Sequence, residues 1–96
     1  MNRIVQSSLY AGWFAKLRDA KTRAIINARL RRLELGNEGD CEPVGEGVSE
    51  MRIHHGAGYP IYFVKRGVEV VVLLAGGTKA TQTKVIKEAL KLARTL

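Results

Sequence analysis

Residues 48–74 read VSEMRIHHGAGYPIYFVKRGVEVVVLL. The first part alternates: over Val48–His54, Met51 and Ile53 face a core while Glu50, Arg52 and His54 face the other side, the two-residue period of a strand. Gly56 and Gly58 mark a turn, Tyr59–Val64 forms a second strand, and Lys65, Arg66 and Gly67 form a hairpin loop. Val68–Leu74 is apolar enough for a central strand. An antiparallel meander follows, and the rest of the chain has to pack on it.

Beyond the meander, Gly76 and Gly77 stop the last strand, and Thr81 can cap a helix whose Val85, Ile86, Ala89, Leu90 and Ala93 face inward. Lys84, Lys87, Lys91 and Arg94 then face water. Before the meander, Gly36–Gly47 holds four glycines, one proline and four acids, the composition of a surface loop. Upstream, Tyr10, Trp13, Phe14 and Leu17 form one apolar stripe on a helix that Ser7 or Ser8 can cap. Asp19 can cap a second helix with Ile26, Leu30 and Leu33 buried, stopped by Gly36 and Asn37. Arg23, Asn27 and Arg31 line one flank of it, and Arg29 and Arg32 another. Ile4 and Val5 can add a strand beside the meander. The expected fold is α+β, β-α-α-β-β-β-α: an N-terminal helical hairpin on a small, mainly antiparallel sheet, with a C-terminal helix. No repeat or linker divides the chain, so residues 1–96 are read as one domain with one shared core.

Sixteen Lys and Arg against nine Asp and Glu give a net charge of +7. Four of the acids, Glu38, Asp40, Glu42 and Glu46, lie in the loop, which leaves five acids against all the bases elsewhere. A scaffold so basic fits a polyanionic partner, or simply a well-solvated surface. No apolar run approaches the roughly 18 residues of a membrane span. Met1–Ser8 lacks the apolar core of a signal peptide, and the lone Cys41 has no internal partner, so the expected location is the cytoplasm.

His54, His55 and Cys41 do not make a metal site, because neighbouring strand residues point to opposite faces and no further ligand spacing completes a set. Gly76-Gly77-Thr78-Lys79 lacks the Walker spacing, although Lys79 and Lys84 lie near a helix start where an anion can bind. Another constellation stands: Arg52 and His54 on one strand, Tyr59 after the turn, and Lys79 after the last strand. RNA cleavage through its own 2′-hydroxyl needs a proton acceptor, a fixed cation and a proton donor, with no metal or cofactor. Arg52 and Lys79 suit the cation, His54 or His55 the proton, and Tyr59 a stacked base. Each has a structural alternative: Arg52 can pair with Glu50 or an acid of the loop, His54 and His55 can be exposed strand-end residues, and Tyr59 can fill the core.

From Tyr10 to Ala93 the chain resembles the RelE/ParE superfamily of toxins, and most closely its HigB-like "addiction module killer protein" branch. The likeness rests on Trp13-Phe14-Ala15-Lys16-Leu17-Arg18-Asp19, Arg29-Leu30-Arg31-Arg32-Leu33, Leu35-Gly36-Asn37, Gly45-Glu46-Gly47-Val48-Ser49-Glu50-Met51-Arg52-Ile53, Gly58-Tyr59, Leu73-Leu74-Ala75-Gly76-Gly77 and Lys79-Ala80-Thr81-Gln82. It implies the toxin of a type II toxin-antitoxin system, a ribosome-dependent mRNA interferase that inhibits translation by metal-independent endoribonuclease action. It further implies a cognate antitoxin, often with a helix-turn-helix DNA-binding domain, whose complex with the toxin binds operator DNA. By position, Arg52 and Lys79 match the family's basic residues. With His54 they form the expected catalytic set; Arg29, Arg32, Tyr59, Lys84 and His55 form the expected RNA-binding set.

One departure stands out. The family's Gly-Tyr pair is normally followed by an arginine that binds phosphate, and here Pro60 follows it. Ala57 and Thr78 replace the usual Pro and Asp as loop adjustments. Pro60 implies an attenuated enzyme and leaves open a catalytically inactive antitoxin-binding module. A DNA gyrase poison of the ParE type is the other alternative on the same scaffold.

Overall fold

The meander occupies the middle of a five-stranded sheet. The computed structural model describes residues 1–96, in the order β1 (Arg3–Gln6), α1 (Ser8–Ala15), α2 (Ala20–Glu34), β2 (Cys41–Gly45), β3 (Val48–Ile53), β4 (Tyr59–Arg66), β5 (Val70–Gly76), a 3₁₀ turn (Lys79–Thr81) and α3 (Gln82–Ala93). The strands lie side by side as β1-β5-β4-β3-β2. β1 runs parallel to β5, with Ile4 opposite Val71, and every other pairing is antiparallel. The α+β class is the one expected from the sequence, with one strand more.

Local chemistry sets the helix starts. The Ser7 hydroxyl accepts from the Tyr10 N–H at 3.1 Å and donates to the Leu74 carbonyl at 2.8 Å, so one side chain both caps α1 and fastens it to β5. The Asp19 carboxylate caps α2, accepting from the Thr22 hydroxyl at 2.7 Å and the Lys21 N–H at 3.2 Å. Those bonds hold its carboxyl below the usual aspartate range. Thr81 takes the N-cap position of α3, but its hydroxyl turns back to accept from the Thr78 N–H at 3.1 Å. No helix is long and apolar enough to cross a membrane.

Three expectations are corrected. The sheet has two cores, not one: α1 and α2 bury Tyr10, Ile26, Leu30 and Leu33 against Met51, Ile61, Phe63 and Leu73, while α3 buries Val85, Ala89 and Ala93 on the opposite face against Val48, Tyr62, Val64 and Leu74. The central strands are apolar on both faces, as Phe63 beside Val64 and Leu73 beside Leu74 show, so both need cover. The supposed loop contains β2, which pairs Cys41 with Met51 and Glu42 with Glu50. Acids and Pro43 suit a half-exposed edge strand as well as they suit a loop. Finally, the β4–β5 turn is Gly67–Glu69, and Val68 stands at its tip, 96% exposed, outside the strand.

Candidate functional site

β3 places Glu50 and Arg52 on the α3 side of the sheet, two residues apart and therefore on one face. β4 begins beside them: Pro60 is directly opposite Arg52, and Tyr62 directly opposite Glu50. Here the covering helix is only starting, and Gln82, its first residue, reaches the strand. The gap between the helix start and the β3–β4 turn is a cavity of about 290 Å³, lined by Glu42, Glu50, Arg52, His54, Tyr59, Pro60, Lys79 and Gln82. Arg52 and Lys79, brought from separate elements, thus open onto the same space.

The cavity's charges are not equivalent. Arg52 is 39% exposed, with Nη2 2.8 Å from Glu42 and Nε 3.5 Å from Asp40. Of the alternatives for Arg52, pairing with the acids before the meander is the arrangement found, and Glu50 is not its partner. Its backbone is fixed as well: the N–H donates to the Asp40 carbonyl at 2.9 Å and the carbonyl accepts from Arg29 Nη1 at 2.8 Å. His54 Nε2 lies 2.6 Å from Asp40 Oδ2. That hydrogen bond, with the nearby Arg52 charge, holds the Asp40 carboxyl below its usual range. Lys79 is exposed and makes no ion pair. Its aliphatic stem passes over Gly58, where a Cβ would sit 3.5 Å from it and where φ is +90°. Glycine is needed there for the backbone conformation.

Proline fits at position 60 for a local reason. Arg52 directs its own N–H and carbonyl away from β4, to Asp40 and Arg29, so the pair forfeits no ladder bond through the missing proline N–H. The Pro60 carbonyl, facing the other way, accepts from the Gly77 N–H at 3.1 Å, just past the end of β5.

Among the other residues singled out from the sequence, Tyr59 serves both readings, packing half-buried against the helical-hairpin core while lining the cavity. Arg29 lies outside the cavity and is engaged by backbone, donating to the Arg52 carbonyl and, at 3.4 Å, to the Glu38 carbonyl. Arg32 is exposed on α2, and His55 lies on the Asp19 side, where its charge acts on that carboxylate. Lys84 lines a different groove, about 500 Å³ between α1 and α3, with Trp13, Lys16 and Gly77. That groove is the larger one and carries Lys16, Lys84 and Glu88, but no arginine, histidine or tyrosine lines it. Cys41 is half-buried, its thiol donates to the Glu38 carbonyl at 3.0 Å, and burial raises its pKa.

Sequence reasoning missed two cavity residues. Alternation puts Glu50 on the face opposite Met51 and Ile53 without giving it a role; it is 4% exposed there, and its Oε2 accepts from the Tyr62 hydroxyl at 2.7 Å and from Gln82 Nε2 at 2.8 Å. Burial and this carboxylate together push the Tyr62 hydroxyl pKa up. Gln82 enters the sequence reading only as the last residue of the Lys79-Ala80-Thr81-Gln82 stretch. The available signal was the apolar inner face of the last helix, which has to cover the side of the sheet that carries Glu50.

A family model described as "Phage derived protein Gp49-like (DUF891)" matches residues 12–96, a stretch that includes every residue of the cavity. The chain belongs to the Gp49-like family. This family is associated with toxin-antitoxin addiction modules, and it implies a cognate antitoxin as partner. An uncharacterized protein of Haemophilus influenzae is 44% identical over 87 residues, covering 91% of the Gp49-like chain and 88% of the relative.

Proposed function

We propose that this Gp49-like protein is the toxin of a type II pair of the RelE/HigB kind, and that it cuts messenger RNA on the ribosome. The observation that carries the reading is that Arg52 and Lys79 open onto one cavity, with His54 and Tyr59 at its edge. A phosphodiester entering there meets the uncompensated Lys79 ammonium and the Arg52 guanidinium, whose fork can exchange Glu42 for phosphate oxygens. The two cations stabilise charge as the RNA's 2′-oxygen attacks phosphorus. Protonated His54, steadied at Nε2 by Asp40, gives a proton from Nδ1 to the departing 5′-oxygen. Tyr59 offers a ring on which a base stacks. The antitoxin, a helix-turn-helix protein in this reading, neutralises the toxin and carries it to operator DNA.

Pro60 favours a second reading, an inert module that only occupies an antitoxin, because an uncharged ring stands beside Arg52 in the cavity. Purified ribosomes loaded with a defined message separate the readings by primer extension. The nuclease reading requires cleavage by the wild-type chain and its loss in Arg52→Ala and Lys79→Ala. Intact message together with tight antitoxin binding supports the inert module. Intact message with trapped gyrase-DNA complexes would establish a gyrase poison.

A further inference from the structure

We infer that Glu50 is the general base of this cavity, its free carboxylate oxygen taking the proton from the attacking 2′-hydroxyl of RNA. The inference rests on the ribonuclease reading above and fills the one role that reading leaves empty. Three carboxylates stand near the cavity: Asp40 holds His54, and Glu42 lies exposed on the edge strand β2, paired with Arg52 until phosphate takes its place. Glu50 alone lies beneath the space, held in place rather than neutralised. Both of its donors, Tyr62 and Gln82, bond to Oε2, and Oε1 takes no hydrogen bond from the protein. Unlike the Tyr10 hydroxyl and Arg52 Nε, Oε1 is not sealed off as an unpartnered buried atom.

A purely structural acceptor at this place would serve as well as an amide. Burying a carboxylate opposes folding even when one oxygen stays open to the cavity, so its presence calls for a use of the charge. Glu50 and Arg52 are two residues apart on one strand face, about 7 Å along the strand, which lets one hold the proton acceptor and the other the phosphate. The charged and titratable groups around it are Arg52 and His54 on or just past its own strand, Tyr59 and Tyr62 from β4, Glu42 from β2 and Lys79 from the 3₁₀ turn; α3 contributes the uncharged Gln82.

The step balances. Oε1 takes the 2′-hydroxyl proton as the 2′-oxygen bonds to phosphorus. The bond from phosphorus to the 5′-oxygen breaks with its electron pair on oxygen, which takes a proton from His54. The products are a 2′,3′-cyclic phosphate and a 5′-hydroxyl. Glu50 is then protonated and His54 neutral, and exchange with water restores both.

The test is single-turnover cleavage of ribosome-bound message across pH, in the wild-type chain or, should that be silent, in a Pro60→Arg background. Glu50→Gln keeps an acceptor for Tyr62 and Gln82, so unchanged thermal melting and ribosome binding within twofold are expected. Its cleavage rate should fall about 100-fold or more, and the rise of rate with pH on the acid side should vanish. Glu50→Asp, a shorter base, should cut faster than Glu50→Gln. A Glu50→Gln rate within about threefold of the parent, an intact acid limb, or equal loss in both variants would overturn the role while leaving the nuclease reading standing. Absence of RNA cleavage by both the wild type and Pro60→Arg would remove that reading, and the base with it.

Discussion

Replacing Pro60 with arginine tests the site where it departs from the RelE/HigB-like pattern. Position 60 faces Arg52 across the strands as a non-hydrogen-bonded pair, so the two Cβ atoms stand about 5 Å apart and a new guanidinium enters the cavity beside the existing one. No backbone hydrogen bond is lost, because the Pro60 carbonyl can keep its bond to the Gly77 N–H. Two like charges across a strand pair cost about 0.2–1 kcal/mol, and Glu42 and Glu50 in the same cavity offset part of that. Pro60 is buried and its ring restricts the unfolded chain, so the substitution should cost about 1–3 kcal/mol of stability, less where the guanidinium reaches Glu42 or Glu50. Catalysis should rise: one preorganised donor aimed at developing charge contributes about 2.7–4 kcal/mol, or roughly a 100- to 1,000-fold rate gain. The assay is single-turnover cleavage on programmed ribosomes, with urea denaturation of both proteins to establish equal folding. A folded Pro60→Arg chain that cuts no faster than the wild type refutes the reasoning that phosphate is bound beside Arg52.

Three other outcomes follow from the packing and the charges. In Gly76→Ala the new Cβ would lie 2.3 Å from the Trp13 ring, so the overpacked α1–β5 contact should cost about 1–3 kcal/mol in urea unfolding followed by Trp13 fluorescence; an unchanged midpoint would show that α1 moves freely. Tyr62→Phe removes a buried donor to Glu50 while leaving Gln82 in place, and should cost about 1.5–3 kcal/mol of stability; a neutral result would mean that Glu50 is held by Gln82 alone. Because the fold lowers the Asp40 pKa, its stabilising effect is full above the usual 3.8 and is lost as pH falls through the lower folded value. The melting-temperature gap between wild type and Asp40→Asn should therefore close on acidification from about pH 6 to about pH 2, and a constant gap would show that the His54 bond is not what lowers that pKa.

Periodicity made the helices and the meander legible, because Tyr10, Trp13 and Phe14, or Met51 and Ile53, repeat at the spacing of the element they form. β2 escaped because an edge strand is partly solvated and can carry acids and a proline, so Cys41–Gly45 looks like a loop until β3 pairs with it. The site was half legible for the same reason. That Arg52 and Lys79 share a cavity followed from the order of strands, but the Arg52 partners depend on β2. The burial of Glu50 depends on α3 covering the far face, and alternation along one strand does not say which faces are covered.

Once β2 is in place, the acidic stretch has a different physical meaning. Glu38 pairs with Lys65, Asp40 with His54, Glu42 with Arg52 and Glu46 with Arg94, so each of the four acids is matched to a base on the body of the sheet or its last helix. What the composition presents as an acidic loop beside a basic scaffold is a strap that compensates part of that scaffold, and it leaves Lys79 as the uncompensated cation of the cavity. Exposed pairs of this kind contribute only about 0–1 kcal/mol each, so a phosphodiester offering a second charge-assisted partner can displace Glu42 from Arg52 at small cost. On the nuclease reading, such an arrangement would limit indiscriminate attraction of polyanions to Arg52 while keeping it available to a substrate held by Lys79. It accounts for a +7 chain whose best-placed arginine is already paired in the free protein.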